Sequence, residues 1–156
     1  MCIWLNQKKF HGHAMIKDVI LTPLKIINMP GGDVMHGMKN NDLGFSDFGE
    51  AYFSKIEPNK IKAWKRHKEM TLNLIVPNGE IRFVLFDDRD KSYCKFQEVT
   101  LSLLNYQRLT IPPLIWLGFQ GSPDKVSILL NIANLRHDPL EVDRRDINEI
   151  EFDWSL

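Results

Sequence analysis

The chain has no surplus of either charge: 20 Lys and Arg stand against 20 Asp and Glu in 156 residues, a formal net charge of zero. A nucleic-acid binder normally carries a basic excess, so that class is disfavoured. Weak net charge also lowers repulsion between copies, and self-association is expected. Cysteine is scarce, with only Cys2 and Cys94. That is too few for a disulfide framework, and neither lies in a metal-type pair. They read as reduced thiols of a cytoplasmic protein. No apolar run approaches the roughly 18–20 residues needed to span a membrane. The polar opening, residues 1–13, has no signal-peptide centre. Sustained helical periodicity is absent, as are a phosphate-cradling glycine loop, a nucleophile elbow and zinc-finger spacing.

Short strands with strong turn punctuation remain. A length of 156 residues suits one domain with a sizeable core. Met15 opens the first strand-like pattern. Residues 1–14 therefore read as an N-terminal extension, and His11-Gly12-His13 offers too few ligands for a metal. Strands are expected over 19–28, 48–56, 61–67, 70–76, 80–87, 96–104, 109–111 and 126–133, with a glycine-rich loop over 34–47. Pro77-Asn78-Gly79 is a hairpin signal, because Asn-Gly tolerates positive φ. After it, Ile81, Phe83 and Leu85 share one face and Arg82, Val84 and Phe86 the other. In the acidic tail, Ile147, Ile150, Phe152 and Trp154 are left to dock on the body. The pattern predicts an all-β barrel or double-sheet sandwich.

His67 is the leading candidate for chemistry. Strand alternation puts Lys65 and His67 on one face. On the next expected strand, Thr71 and Asn73 form a polar stripe. If that stripe lines the interior it needs a polar ligand, since burying unsatisfied polar groups is costly. The alternative is a solvent-facing stripe and an ordinary surface histidine. A neutral imidazole beside an ammonium can remove a proton α to a ketone while the cation steadies the enolate oxygen. A carboxylate behind the ring would fix its tautomer, and Asp146 and Glu50 are candidates. Metal binding is disfavoured, because Lys65 stands where a second ligand is needed. Trp64, Trp116, Tyr52 and Phe119 are core aromatics or stacking surfaces for a base or sugar. Arg82, Arg66 and Lys62 are candidates for holding a diphosphate, and His36 for reaching the cavity from its loop.

These residues resemble the cupin-type sugar-nucleotide enzymes, namely the dTDP-4-dehydrorhamnose 3,5-epimerases and the dTDP-4-keto-6-deoxyglucose 3,4-ketoisomerases. His67-Lys68, Asn78-Gly79, Arg82-Phe83-Val84-Leu85 and Asp87-Asp88 look like the ketoisomerase order. Ile111-Pro112-Pro113 with Gly118-Phe119 is similar to the epimerases' proline-proline segment. His137-Asp138-Pro139-Leu140-Glu141 and Glu151-Phe152-Asp153-Trp154 look like their C-terminal segment. The resemblance covers most of the chain from about residue 20.

It implies a cupin-type jelly-roll barrel over 15–156 as a single domain, a homodimer, no metal or other cofactor, and a nucleotide-activated 4-keto sugar as substrate. It places the base at His67 and its carboxylate partner near Asp146; strand alternation adds Lys65 to the catalytic set. His36, Glu50, Trp64, Asn73, Arg82, Trp116 and Asn131 are the expected substrate-binding residues. The sequence departs from the family in three places. The epimerases' Arg-Gly-Leu-His becomes Trp64-Lys65-Arg66-His67, their acid tyrosine falls near Asn131, and the second histidine of the proline-proline motif falls at Leu117. The expected activity is an epimerase or ketoisomerase in surface polysaccharide building; the competing reading is a catalytically silent module that binds a sugar nucleotide or a partner enzyme.

Overall fold

The computed structural model describes residues 15–90 and 94–155. The expected N-terminal extension and its two histidines lie outside the described residues. Twelve strands make up the described fold: β1 (Ile20–Pro23), β2 (Ile26–Ile27), β3 (Val34–Met35), β4 (Glu50–Ile56), β5 (Ile61–His67), β6 (Leu72–Asn78), β7 (Glu80–Asp87), β8 (Lys95–Ser102), β9 (Gln107–Ile111), β10 (Trp116–Gly121), β11 (Ser127–Ala133) and β12 (Val142–Arg144). Two five-stranded antiparallel sheets face each other. The first runs β1-β9-β6-β11-β4, the second β12-β5-β10-β7-β8, and β2 pairs with β3 as a small ribbon. This is the jelly-roll, cupin-type architecture expected from the sequence.

The β6–β7 hairpin shows why the chain turns where it does. Gly79 sits at φ 83°, a conformation that costs glycine little. A Cβ there would also come within 2.4 Å of the Ser127 hydroxyl oxygen. Along β7, Ile81, Phe83 and Leu85 point into the space between the sheets, where Leu74, Leu109, Leu117 and Leu129 meet them. The alternate residues Val84 and Phe86 join a second cluster on the outer face of the second sheet, with Trp64, Trp116 and Ile150. Phe152 and Trp154 of the C-terminal segment cover that cluster, with the Trp64 and Trp154 rings 5.3 Å apart. The tail docks on the body as its apolar spacing predicts.

Three departures from the sequence reading matter. The expected strand over 19–28 is broken between β1 and β2, and three strands, β3, β10 and β12, were not expected. β10 and β12 both border β5. Cys94 is disulfide-bonded, unlike the reduced thiol expected.

One irregularity shapes the interior. β5 and β10 pair with Leu117 opposite Lys65 and Phe119 opposite Lys62, and the register shifts between them. A bulge of this kind places two residues of one strand against one of the other. Ala63 and Trp64 therefore both turn to the outer face, where a Cβ on Gly118 would meet Ala63 and Trp154, each at 2.8 Å. Lys62, Lys65 and His67 are left facing the interior.

Candidate active site

β5 ends at His67, whose neighbour across the sheet is Val142 of β12. That pairing fixes the residue just before Val142. Asp138 caps a short 3-10 turn, Pro139–Glu141, and its side chain accepts from the Leu140 amide. The turn delivers Glu141 beside the imidazole, with Glu141 Oε2 2.5 Å from His67 Nδ1. Its other oxygen accepts from the Glu69 and Met70 amides, both at 2.8 Å. Both side chains are nearly buried, with 8% of His67 and 10% of Glu141 exposed.

The electrostatics follow from this placement. Burial raises the Glu141 carboxyl pKa, but the Glu69 amide, the His67 ring and the Met70 amide together hold it below its ordinary value. Glu141 is thus an anion that can only accept, so Nδ1 of neutral His67 carries the proton. Nε2 is then bare, and it is buried with no partner. The His67 pKa is lowered, first by burial, against the hydrogen bond it donates to Glu141; the positive charges of Lys65 and His137 push the same way as burial. The result is a neutral, oriented base with its lone pair directed away from its carboxylate.

Lys65 lies beside it on the same face. Its pKa is lowered by burial and by the neighbouring charges of Arg144 and Lys62. These three cations line a cleft of about 330 Å³, together with Ser54 and Phe119. Such a concentration of positive charge suits a polyanion. The opposite wall comes from the first sheet. Asn131 faces inward between Leu129 and Ala133 and is 2% exposed. Its cross-strand neighbour is Tyr52, and Asn131 Nδ2 donates to Tyr52 Oη at 3.0 Å. Asn131 Oδ1 is buried without a partner.

Comparison with known proteins gives the same picture. No family model matches the chain. The chain is 30% identical over 112 residues to the curated "Probable low-salt glycan biosynthesis epimerase" of Haloferax volcanii, covering 67% of this chain and 72% of that one. A dTDP sugar isomerase of Desulfovibrio desulfuricans superimposes with a TM-score of 0.84 at 38% identity, covering 89% of this chain and 92% of that one. The chain belongs to the sugar-nucleotide epimerase and isomerase family. The sugar 3,4-ketoisomerase of Thermoanaerobacterium thermosaccharolyticum, solved with TDP, shares the fold at 21% identity and a TM-score of 0.71, covering 84% of this chain and 90% of that one.

Within this family member, the expected site residues are divided between cavity and scaffold. His67, Lys65 and Asn131 face the interior, and Glu50 lies on the inner side of β4, opposite Ala133. Asp146 does not stand behind His67. It is exposed at the start of the 3-10 turn Ile147–Glu149, where its amide donates to Glu149. The β12 pairing puts Glu141 at the ring instead, and by Asp146 the chain has moved past Trp64. Asn73 lies on the outer face of the first sheet, bonded to the Gly44 carbonyl and to Thr110. The expected polar stripe is therefore a support for the loop over 37–44. Arg82 is also outside the cavity, paired with Glu98 and donating to the Ser155 carbonyl.

Trp116 packs outside as well, its indole N–H on Asp88 and the Arg66 and Arg145 guanidinium groups over its ring. Trp64 borders the cleft while its ring joins the outer cluster. Arg66 is engaged by Asp88 and Asp143. His36 lines a separate groove with Lys25 and Lys39. Glu141, Arg144 and Ser54 escaped sequence reasoning. The only trace was the His-Asp-Pro-Leu-Glu segment, whose proline and capping aspartate mark a turn ending on Glu141.

Proposed function

We propose that this chain converts a nucleotide-linked 4-keto sugar by removing the proton α to the ketone with His67 Nε2. The carrying observation is the histidine itself: Nδ1 bonded to an ionised Glu141, Nε2 buried and without a partner, and Lys65 two residues before it on the same strand face. Proton removal from the carbon leaves an enolate whose charge gathers on the former ketone oxygen. Lys65 supplies the nearby positive charge that stabilises it. Lys62 and Arg144 extend the positive region along the cleft and suit a nucleotide diphosphate. The relatives named as a dTDP sugar isomerase and a glycan biosynthesis epimerase support this substrate class and a role in glycan building. We assign the protein to the cytoplasm, where nucleotide sugars are assembled, and to a homodimer, as the family resemblance implies.

The decisive experiment incubates the protein with dTDP-4-keto-6-deoxyglucose in deuterated water and follows the sugar protons by NMR. Deuterium is expected to enter beside the ketone in the native protein and not in His67→Ala. Exchange that survives His67→Ala unchanged would overturn the assignment of the base. Tight binding without any exchange would favour a silent binding module.

A further inference from the structure

We propose that Asp88 is a positioning residue for the His67–Glu141 pair, holding the strands that carry it in register from the outer face of the second sheet. The inference rests on the proposed function and names a residue outside the cavity on which its rate depends. His67 and Glu141 are 74 residues apart. The ladder that brings them together has only three pairs: His67 with Val142, Arg66 with Asp143 and Lys65 with Arg144. So short a ladder leaves much of the alignment of Glu141 on the ring to side chains.

Arg66 is where β12 is gripped. Alternation turns Lys65 and His67 inward and Arg66 outward. Arg66 Nε and Nη2 both donate to Asp143 Oδ2, at 3.2 and 2.7 Å, across the pair next to His67 and Val142. Arg66 Nη1 donates to Asp88 Oδ1 at 3.3 Å. Asp88 follows β7, at the far side of β10 and β5 from β12. Its second oxygen accepts from the Trp116 indole N–H of β10 at 3.1 Å and lies 3.9 Å from the Arg145 guanidinium, just past β12. One carboxylate therefore ties β7 to β10, to β5 and to the end of β12.

The charges explain why that tie matters. The Arg66 and Arg145 guanidinium groups stand 4.5 and 4.3 Å from the centre of the Trp116 ring, which is 1% exposed. Two cations beside one buried ring repel each other, and among the described residues Asp88 is the carboxylate within ion-pair distance of both. Without it, Arg66 loses its second anchor and β12 rests on its three pairs and Asp143. The Glu69 and Met70 amides still hold Glu141 Oε1, so the carboxylate shifts rather than leaves. A shift is enough to matter, because the bond to Nδ1 decides which nitrogen of the ring carries the proton. Displacements of about 1 Å at a reacting group can cost on the order of 10²-fold in rate.

The test compares native protein, Asp88→Asn, Asp88→Ala and Glu98→Gln. Glu98 lies on the same outer face and pairs with Arg82 at 2.8 Å, so its variant controls for the loss of an ordinary ion pair. The first readout is deuterium exchange on dTDP-4-keto-6-deoxyglucose, resolved into kcat and KM well below each melting temperature. The second needs no substrate: the His67 tautomer, read by nitrogen NMR of histidine-labelled protein and assigned by the signals missing from His67→Ala. Native protein and Glu98→Gln are expected to share one kcat and the Nδ1–H tautomer. Asp88→Ala should lower kcat by about 10- to 10²-fold with KM within about twofold, and an Nε2–H signal should appear. Asp88→Asn should fall between them, because Arg66 and Trp116 both donate and an amide has one oxygen for the two. A merely structural role would lower the melting temperature and leave kcat and tautomer of the folded protein unchanged. Asp88→Ala with native kcat and native tautomer overturns the inference and leaves the proposed function standing. A rise in KM at unchanged kcat also overturns it, since Asp88 would then act in binding. Native protein that never exchanges removes the proposed function, while the tautomer in the same proteins still decides whether Asp88 holds the pair.

Discussion

Replacing Glu141 with Gln isolates the tautomer of His67 from every other property of the site. The glutamine amide has one acceptor end and one donor end, and the protein dictates which goes where. The Glu69 and Met70 amides both donate to Glu141 Oε1 at 2.8 Å, so that position must remain an oxygen. The glutamine NH₂ is then forced toward His67 Nδ1, where a carboxylate oxygen sat at 2.5 Å. Nδ1 becomes the acceptor, the ring proton moves to Nε2, and the base loses its lone pair. General-base catalysis contributes roughly 10²–10⁴-fold, so Glu141→Gln should slow α-proton exchange by about that factor. This corresponds to roughly 3–5 kcal/mol on the barrier. The fold should lose much less, about 1–2 kcal/mol, because both backbone donors keep an acceptor and only charge assistance is lost. Exchange rates and thermal melts measured on the same preparation separate the two. A glutamine variant that exchanges within about threefold of native protein would refute the argument that this carboxylate sets the tautomer.

The His67 pKa is lowered below its ordinary value of 6.5 by burial and by the positive charges of Lys65 and His137, against the pull of Glu141. The neutral ring is the active form, so kcat/KM should hold down through pH 6.5 and fall only on further acidification. An acid limb above that value would contradict the assignment. The same depression makes the native state a weaker proton binder than the unfolded chain, so this group's stabilisation is complete above about pH 6.5 and declines as pH falls through the folded value; acid melts of His67→Ala should lack that decline. Far from the site, Arg108 is fully buried and donates to the Gly37 and Leu43 carbonyls and to Asp42. Arg108→Met should cost about 1–3 kcal/mol by removing these hydrogen bonds, visible as a lowered urea midpoint.

The legible part of this protein was the part written in short-range pattern. Strand β5 and strand β7 are given by alternation and by Asn78-Gly79, and the inward set Ile81, Phe83 and Leu85 follows directly from period two. His67 and Lys65 were identifiable because they share that alternation on β5. The pattern failed where partners are distant. Asn73 looked like a cavity residue because it shares a polar stripe with Thr71, and only the loop over 37–44 decides which face of the strand is the interior. Trp64 and Arg82 point outward to a tail more than 60 residues away in sequence. Glu141 could not be matched to His67 from spacing, because β12 is a three-residue strand with no alternation to read. The bulge at Ala63 and Trp64 breaks the period-two rule within β5 itself, and it alone turns Lys62 inward.

The pairing of His67 with a carboxylate 74 residues later has a consequence for how the protein comes into being. A growing chain that has released both β5 and β7 from the ribosome has neither β10, which lies between them in the sheet, nor the dyad. His67 then has no acceptor at Nδ1, and the Glu69 and Met70 amides have no carboxylate to bind. Glu141, Arg144 and the aromatic tail emerge in one stretch, so the ring's orientation, part of the cationic cleft and the seal over the outer face arrive together. Catalytic competence should therefore appear only once this segment has docked on the body.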